Sequence, residues 1–595
     1  MTIYYTISAD NYKSHLFDVS IRFETQKNKS YHLSLPAWLP GSYMIRDFAK
    51  NIHQISAYDA DNRAVELQKQ DKQGWLIVAP NSQLIIKYQV FAFDLSVRTA
   101  YLDDQRGFFN GSSTFLAVEE LTHCPCELDI MPVNAHQSWR VATGMTRSAL
   151  TKKYQFGHYQ ATSYDELIDC PVALGDFDAF EFEVNGICHH MVFTSKHYGD
   201  RDRIAKDVGK LCQHHINLFT QAPFDEYWFI THLLADGFGG LEHKNSTILQ
   251  ASRFDLPNPN KPDVLTERYQ TFLSLCSHEY FHAWNVCRIK PIEFIPYDLS
   301  KEVYTEQLWA FEGITSYYDD YSLYRTGLID FETYLKILSK ALTRVSRGNG
   351  ELKQSVSESS FYAWTKFYQQ GPESVNHIVS YYVKGAIIAL WIDLTLREKS
   401  NQQFSLDELM RHIWFNFGAK NKGTTTQDYL HIINQLCGED LSAEINTLLN
   451  KAKRIDLSTL FERFGVELTT QKFKDLASLE TIASTDYIPY LGLQYQASEA
   501  GLKISQILEN SPANHAGLAV NDVLVAIDHL KITATNFQSL AEHLPANTPV
   551  DCHYFRDDKL VKTSLVFIDS PETALALKVV DDSKVEKWQS IIGGI

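Results

Sequence analysis

No run of eighteen apolar residues occurs anywhere in the 595-residue sequence, so no membrane-crossing helix is expected. The opening, MTIYYTISADNYKSHLFDVS, has no basic stretch followed by an apolar one, and the address this implies is the cytoplasm. Concentrated positive charge is also missing. With a formal net charge of −17 and no basic stripe, neither nucleic acid nor a membrane is an expected partner. The nine cysteines, an odd number at mostly wide spacing, offer no disulfide framework. Cys124 and Cys126 form a lone Cys-Pro-Cys with no second pair to complete a zinc site, so the cysteines read as free thiols. Low-complexity tracts and internal repeats are absent.

Aromatic residues are abundant. The 34 Phe, 31 Tyr and 10 Trp in a chain that is 44% hydrophobic imply packed cores, and the length implies about three of them. Alternating strand patterns such as LFDVSIRF and QLIIKYQVFAF mark residues 1–172 as β-rich. Over 173–455 the period becomes mainly helical, as in RDRIAKDVGKLCQHHINLF with Ile204, Val208, Leu211 and Ile216 on one face. A connector at 456–486 leads to short strands at 487–572, and a tail covers 573–595. The expected class is α+β, in several domains.

The stretch SLCSHEYFHAWNVCRIKP places His278 and His282 four apart, with Glu279 after the first. Asp263 as N-cap, the apolar period from Leu265 to Trp284 and Pro291 beyond put this pentad inside a helix over 264–287. On a helix the two imidazoles project about 40° apart, one turn separated, and can meet one ion. Glu279 lies beside them, where a carboxylate can take a proton from an attacking water. Two hydrogen-bonded core histidines would leave the same trace. A catalytic zinc needs a third protein ligand, and Glu312, thirty positions after His282 in TEQLWAFEGITSYYDDYSLYRTGL, is the candidate. Its neighbours Leu308, Trp309 and Phe311 argue against a simple surface charge.

Two further stretches add to this. In LADGFGGLEHKNST the glycines let a backbone pass close to a ligand, and Glu242 can hold a substrate ammonium, with Gly239, Gly240 and His243 nearby. A tight turn with a solvated glutamate fits the same letters. In VSYYVKGAIIALWIDLTLR, Tyr381 and Tyr382 open an apolar helix; a phenol there can donate to a developing oxyanion, or simply be core. The tyrosines at 317, 321 and 324 follow helical spacing and read as core. His189 and His190 are adjacent on a strand, face opposite sides and cannot both serve one metal.

In order, GGLEH, HEYFHAWNVCRIKP, LWAFEGITSYY and SYYVKGA resemble the glycyl aminopeptidase family of gluzincin metallopeptidases with a C-terminal PDZ domain. PAWLPGSYMIRDFAKNI and SSFYAWTKFYQ resemble it too. The likeness implies a thermolysin-like catalytic domain with one Zn²⁺ per chain on His278, His282 and Glu312, and Glu279 as general base and later proton donor. It also implies that Glu242 binds the free α-amine of a peptide substrate and that Tyr382 stabilises the oxyanion. A preference for N-terminal glycine or alanine rests on the resemblance alone. His243 and Ser316 depart from the patterns of wider relatives, which leaves the partners of the zinc histidines open, with Asp319 and Asp320 as candidates.

YLGLQY followed by ENSPANHAGLAVNDVLVAID is similar to a PDZ domain, in which the amides of Leu491, Gly492 and Leu493 receive the carboxylate of a peptide or protein C-terminus. His529 stands where many such domains have glycine. The module can equally serve only to pack. Two rival functions remain: an endopeptidase with the same zinc chemistry, and a peptide-binding scaffold with a vestigial metal site. The presence of Glu279, Glu242 and Tyr382 together argues against the scaffold. Trp38, Arg46 and Asp47 receive no chemical role.

Overall fold

A computed structural model describes residues 1–476 and 478–590. The chain divides into two compact units, Met1–Val303 with Ile413–Thr424, and Tyr304–His412 with Thr425–Ile595.

The first unit begins with an eight-stranded sheet. Within it Ile3–Asn11 runs parallel to Cys126–Ile130 on one side and antiparallel to Leu16–Glu24 on the other. The alternation read in LFDVSIRF is realised: Phe17, Val19, Ile21 and Phe23 are buried and the residues between them face outward or lie half-buried. Two four-stranded sheets accompany it, and a sheet of five strands follows, β1 (Asp178–Val184), β2 (Ile187–Phe193), β3 (Glu226–Leu234), β4 (Gly239–Glu242) and β5 (Ser246–Ser252), in the order β1-β2-β3-β5-β4. The parallel β2 and β3 need a crossover, and helix α1 (Arg201–Phe219) supplies it, burying the expected Ile204, Val208, Leu211 and Ile216. Val192, Trp228, Ile230, Leu241 and Ile248 join the apolar cluster of the N-terminal strands. This five-stranded sheet therefore shares one core with the N-terminal strands.

Helix α2 (Glu267–Phe281) carries the His-Glu pentad and is shorter than the sequence suggests. Thr266 caps it, its side chain accepting the Tyr269 N–H at 3.1 Å; the expected Asp263 lies outside. Asp263 follows Pro262, and the intervening Leu265 is only half-buried, so that stretch has no face to dock. Against α1 and the sheet, α2 is pinned by His215 Nε2 to Ser277 Oγ at 2.8 Å and His189 Nε2 to Tyr280 Oη at 2.9 Å.

The second unit contains helices α3 (Ile314–Arg325) and α4 (Val383–Lys399) and the C-terminal strands. Tyr317 and Tyr321 are buried and Tyr324 is half-buried, as expected of core positions. Two stretches expected as connector and tail pair with each other, Val466–Phe473 running antiparallel to Ala574–Val579, and Trp588 beyond them is fully buried. Between them lies a β-sheet module with strand β6 (Leu493–Ala497) at one edge and helix α5 (Phe537–His543). Asp528 and His529 both take left-handed backbone, φ 49° and 63°, and form the two-residue hairpin turn at the place where glycine is usual. No helix among the described residues is long and apolar enough to cross a membrane.

Candidate metal centre and active site

The regular part of α2 stops at Phe281, and His282 forms its C-cap. Beyond it the chain departs from the helix: Cys287 N–H returns to the His282 carbonyl, and Val286 adopts φ +96°, a backbone that β-branched residues rarely take. This irregular turn brings the Asn285 carbonyl to 2.7 Å from His282 Nδ1. A carbonyl accepts only, so Nδ1 carries the proton and Nε2 keeps its lone pair. That nitrogen lies 3.0 Å from His278 Nε2, with the two rings nearly perpendicular. Two imidazole nitrogens presented to one point, one tautomer locked by main chain, fit a zinc ion. The partner of His282 Nδ1 is thus the Asn285 carbonyl. No residue type in the sequence announces this, because any residue can supply a carbonyl.

Glu279 is 5% exposed. Tyr227 Oη donates to its main-chain carbonyl at 3.2 Å. Its carboxylate lies against Gly240 of β4, where any Cβ would collide with it. Along β4 alternate residues face the same way, with about 3.3 Å of rise each. Glu242 therefore follows Gly240 on one face, about 7 Å further along.

The Glu242 carboxylate is likewise backed by a glycine. Leu39, Pro40, Gly41 and Ser42 form a type II turn, with Gly41 at φ +81° and the Ser42 N–H donating to the Leu39 carbonyl at 3.2 Å. A Cβ at Gly41 would overlap Glu242. Trp38 holds the approach to the turn: its Nε1–H donates to the carbonyls of Asp298 and Lys301, at 2.9 and 2.8 Å. Arg46 Nη2 donates to Ser42 Oγ at 2.8 Å. The stretch without an assigned chemical role is the support of Glu242. His243 points its ring at Asp169, with Nδ1 3.2 Å from Oδ1. Burial pushes the Asp169 carboxyl up, but the His243 hydrogen bond and the Lys244 charge outweigh it and hold it below the usual range. Beside Glu242 opens a cavity of about 80 Å³, walled by Leu39, Pro40, Val286, Tyr297 and Leu299 among others.

In the second unit Glu312 lies on a wide π-turn, Trp309–Gly313, that leads into α3. It is 2% exposed, in keeping with its apolar neighbours. Tyr382 is the N-cap of α4 and stacks on Phe367, ring centroids 5.6 Å apart. Two glycines that the motif reading passed over join these residues. A Cβ on Gly313 would meet the Gly385 Cα and the Tyr381 carbonyl, and one on Gly385 would meet Gly313 and the Trp309 main chain. The backbones therefore cross in direct contact, next to Glu312 on one side and three residues past Tyr382 on the other.

In the C-terminal module Leu491 and Leu493 are buried, and Gly492 takes φ +69°, with its carbonyl accepting the Leu508 N–H. Leu476 of the connector is buried in this module's core, and its N–H donates to Gln538 Oε1 on α5 at 3.3 Å.

Comparison with known proteins matches residues 4–176 to the peptidase M61 N-terminal domain, 271–388 to M61 glycyl aminopeptidase and 489–566 to a PDZ domain. The crystal structure of an aminopeptidase N family protein from Idiomarina loihiensis is 42% identical, over 99% of this chain and 100% of that one, with a TM-score of 0.96. An M1 zinc metallopeptidase from Deinococcus radiodurans is 10% identical over 77% of this chain and 94% of that one, at a TM-score of 0.47. No curated protein matches the sequence. The motifs, the matched domains and the full-length structural relative agree, and the chain belongs to the M61 glycyl aminopeptidase family of gluzincin zinc metallopeptidases, with a C-terminal PDZ domain.

Proposed function

We propose that this zinc aminopeptidase binds one Zn²⁺ per chain through His278, His282 and Glu312, anchors the free α-amine of its peptide on Glu242, and releases one small N-terminal residue, glycine or alanine. The observation that carries the reading is the spacing on β4. Glu279 lies against Gly240 and Glu242 stands two residues further on the same face. About 7 Å leaves room for one residue between an amine held by Glu242 and a carbonyl beside Glu279. The preference for a small side chain is carried by the likeness to the glycyl aminopeptidase family.

Bound zinc would supply Lewis acidity toward the scissile carbonyl and the attacking water. The rest falls to the chain. Glu279 Oε takes the proton of the water and returns it to the leaving amine. The Tyr382 hydroxyl donates to the developing oxyanion. Glu242 fixes the register by a charge-assisted hydrogen bond to the ammonium, with Gly239 and Gly240 letting the peptide backbone approach. In the PDZ domain, the burial of Leu476 beside Gln538 supports a packing role.

The test is a matched pair of peptides, an alanyl peptide with a free N-terminus and its acetylated twin, each with and without a chelator. Cleavage of the free peptide alone, abolished by the chelator, is expected. Equal cleavage of both would replace the reading with an endopeptidase.

A second test bears on the support of Glu242. Gly41→Ala adds a Cβ in left-handed backbone where the Glu242 carboxylate already lies. A misplacement of that size lowers kcat/KM on free-amine peptides by up to about 10², with zinc content unchanged. Steady-state kinetics beside metal analysis measures both, and unaltered kinetics would separate this turn from amine recognition.

A further inference from the structure

The adjacent histidines of β2 go to opposite sides of the sheet. His189 turns inward to Tyr280. His190 turns to the face that carries Cys188, two residues back, and Glu181, its register partner across the hairpin. One ligand atom from each of Glu181, Cys188 and His190 lies within 4.8 Å of the others. The His190 ring is fully buried and stacked on Trp228, with centroids 3.9 Å apart. Its orientation is therefore fixed before any ligand arrives. Nε2 lies 3.4 Å from Glu226 Oε2, and Nδ1 lies 3.4 Å from Glu181 Oε1. A proton on Nε2, facing Glu226, leaves the Nδ1 lone pair directed at Cys188 and Glu181. A carboxylate behind an imidazole is the arrangement that orients a metal-binding histidine.

The geometry points to a second transition-metal site on Glu181, Cys188 and His190, suited to Zn²⁺ or a cation of similar softness and separate from the His278 and His282 site. Thiolate, imidazole and carboxylate are the three donor types zinc accepts, and three protein ligands leave a fourth position open. Two neighbours also contact these side chains. Lys153 Nζ lies 2.9 Å from Glu181 Oε1, and Tyr154 Oη lies 3.4 Å from both Glu181 Oε1 and His190 Nδ1. Metal binding moves Lys153 off Glu181, which costs little because that pair is half-exposed. The Cys188 thiol proton passes to solvent, so affinity rises with pH.

The experiment titrates metal-stripped full-length protein with Co²⁺ and follows the thiolate-to-cobalt charge-transfer band in the near ultraviolet. The His278 and His282 site contains no thiol and gives no such band. The expected result is two bound equivalents, one of them with the band. Cys188→Ser, or Cys188→Ala if the serine variant is unstable, should lose the band and one equivalent while keeping aminopeptidase activity. His282→Ala should lose activity and keep the band, so the two sites fail independently. A band that is absent, that persists without Cys188, or that grows only at large molar excess of cobalt would overturn the assignment.

Discussion

Glu279→Gln is expected to lower kcat by roughly 10² to 10⁴ while zinc remains bound, the range that removal of a general base commonly produces. Glutamine keeps the shape of the side chain but cannot accept the proton of the attacking water. The site is built to tolerate that exchange without collapse. Tyr227 holds the helix through the main-chain carbonyl of residue 279, and the side chain packs directly on the Gly240 backbone, where glutamine of the same shape fits. The imidazole pair depends on Asn285 and on α2, neither of which changes. KM should therefore move far less than kcat. Steady-state kinetics with metal analysis on the same preparation checks the claim. If zinc leaves together with activity, Glu279 is a ligand or a structural support and the proton-transfer role is lost.

The parts of this protein that were legible in its letters are those in which one residue type is required by one chemistry. His278, Glu279 and His282 could be placed on a helix because periodicity and spacing together constrain them, and the burial of Glu312 followed from Leu308, Trp309 and Phe311. Main-chain chemistry left no such trace. The Asn285 carbonyl that sets the tautomer of His282 belongs to a turn with Val286 in left-handed backbone, a conformation no propensity would assign to valine. Glycines were the other gap. Gly41, Gly313 and Gly385 matter through contacts with residues far away in sequence, Glu242 in one case and each other in the second. A glycine in a Pro-Gly turn reads as the turn alone. The limits of α2 failed for a related reason: periodicity spread over 264–287, while the cap and the end are set by Thr266 and by the turn after His282.

Glu312→Gln should weaken zinc by more than the 10- to 100-fold that removal of an outer partner costs, about 10² at the least, with activity falling in proportion to metal lost. A carboxylate only 2% exposed is expensive to keep ionised unless a cation faces it, and the ion we assign to this region is the zinc. Glutamine has nearly the same volume and no charge, so the packing of the π-turn against α4 through Gly313 and Gly385 is preserved. The variant should accordingly melt close to the parent when both are measured without metal. The gap between them should open only when zinc is added, because a ligand that binds the folded form alone raises its stability with affinity. Metal content after dialysis against a range of free zinc separates the cases. Half-occupancy displaced to higher free zinc by that factor assigns Glu312 as the third ligand. Full occupancy at the parent's midpoint, with unchanged turnover, would remove it from the set and leave the third position to another residue.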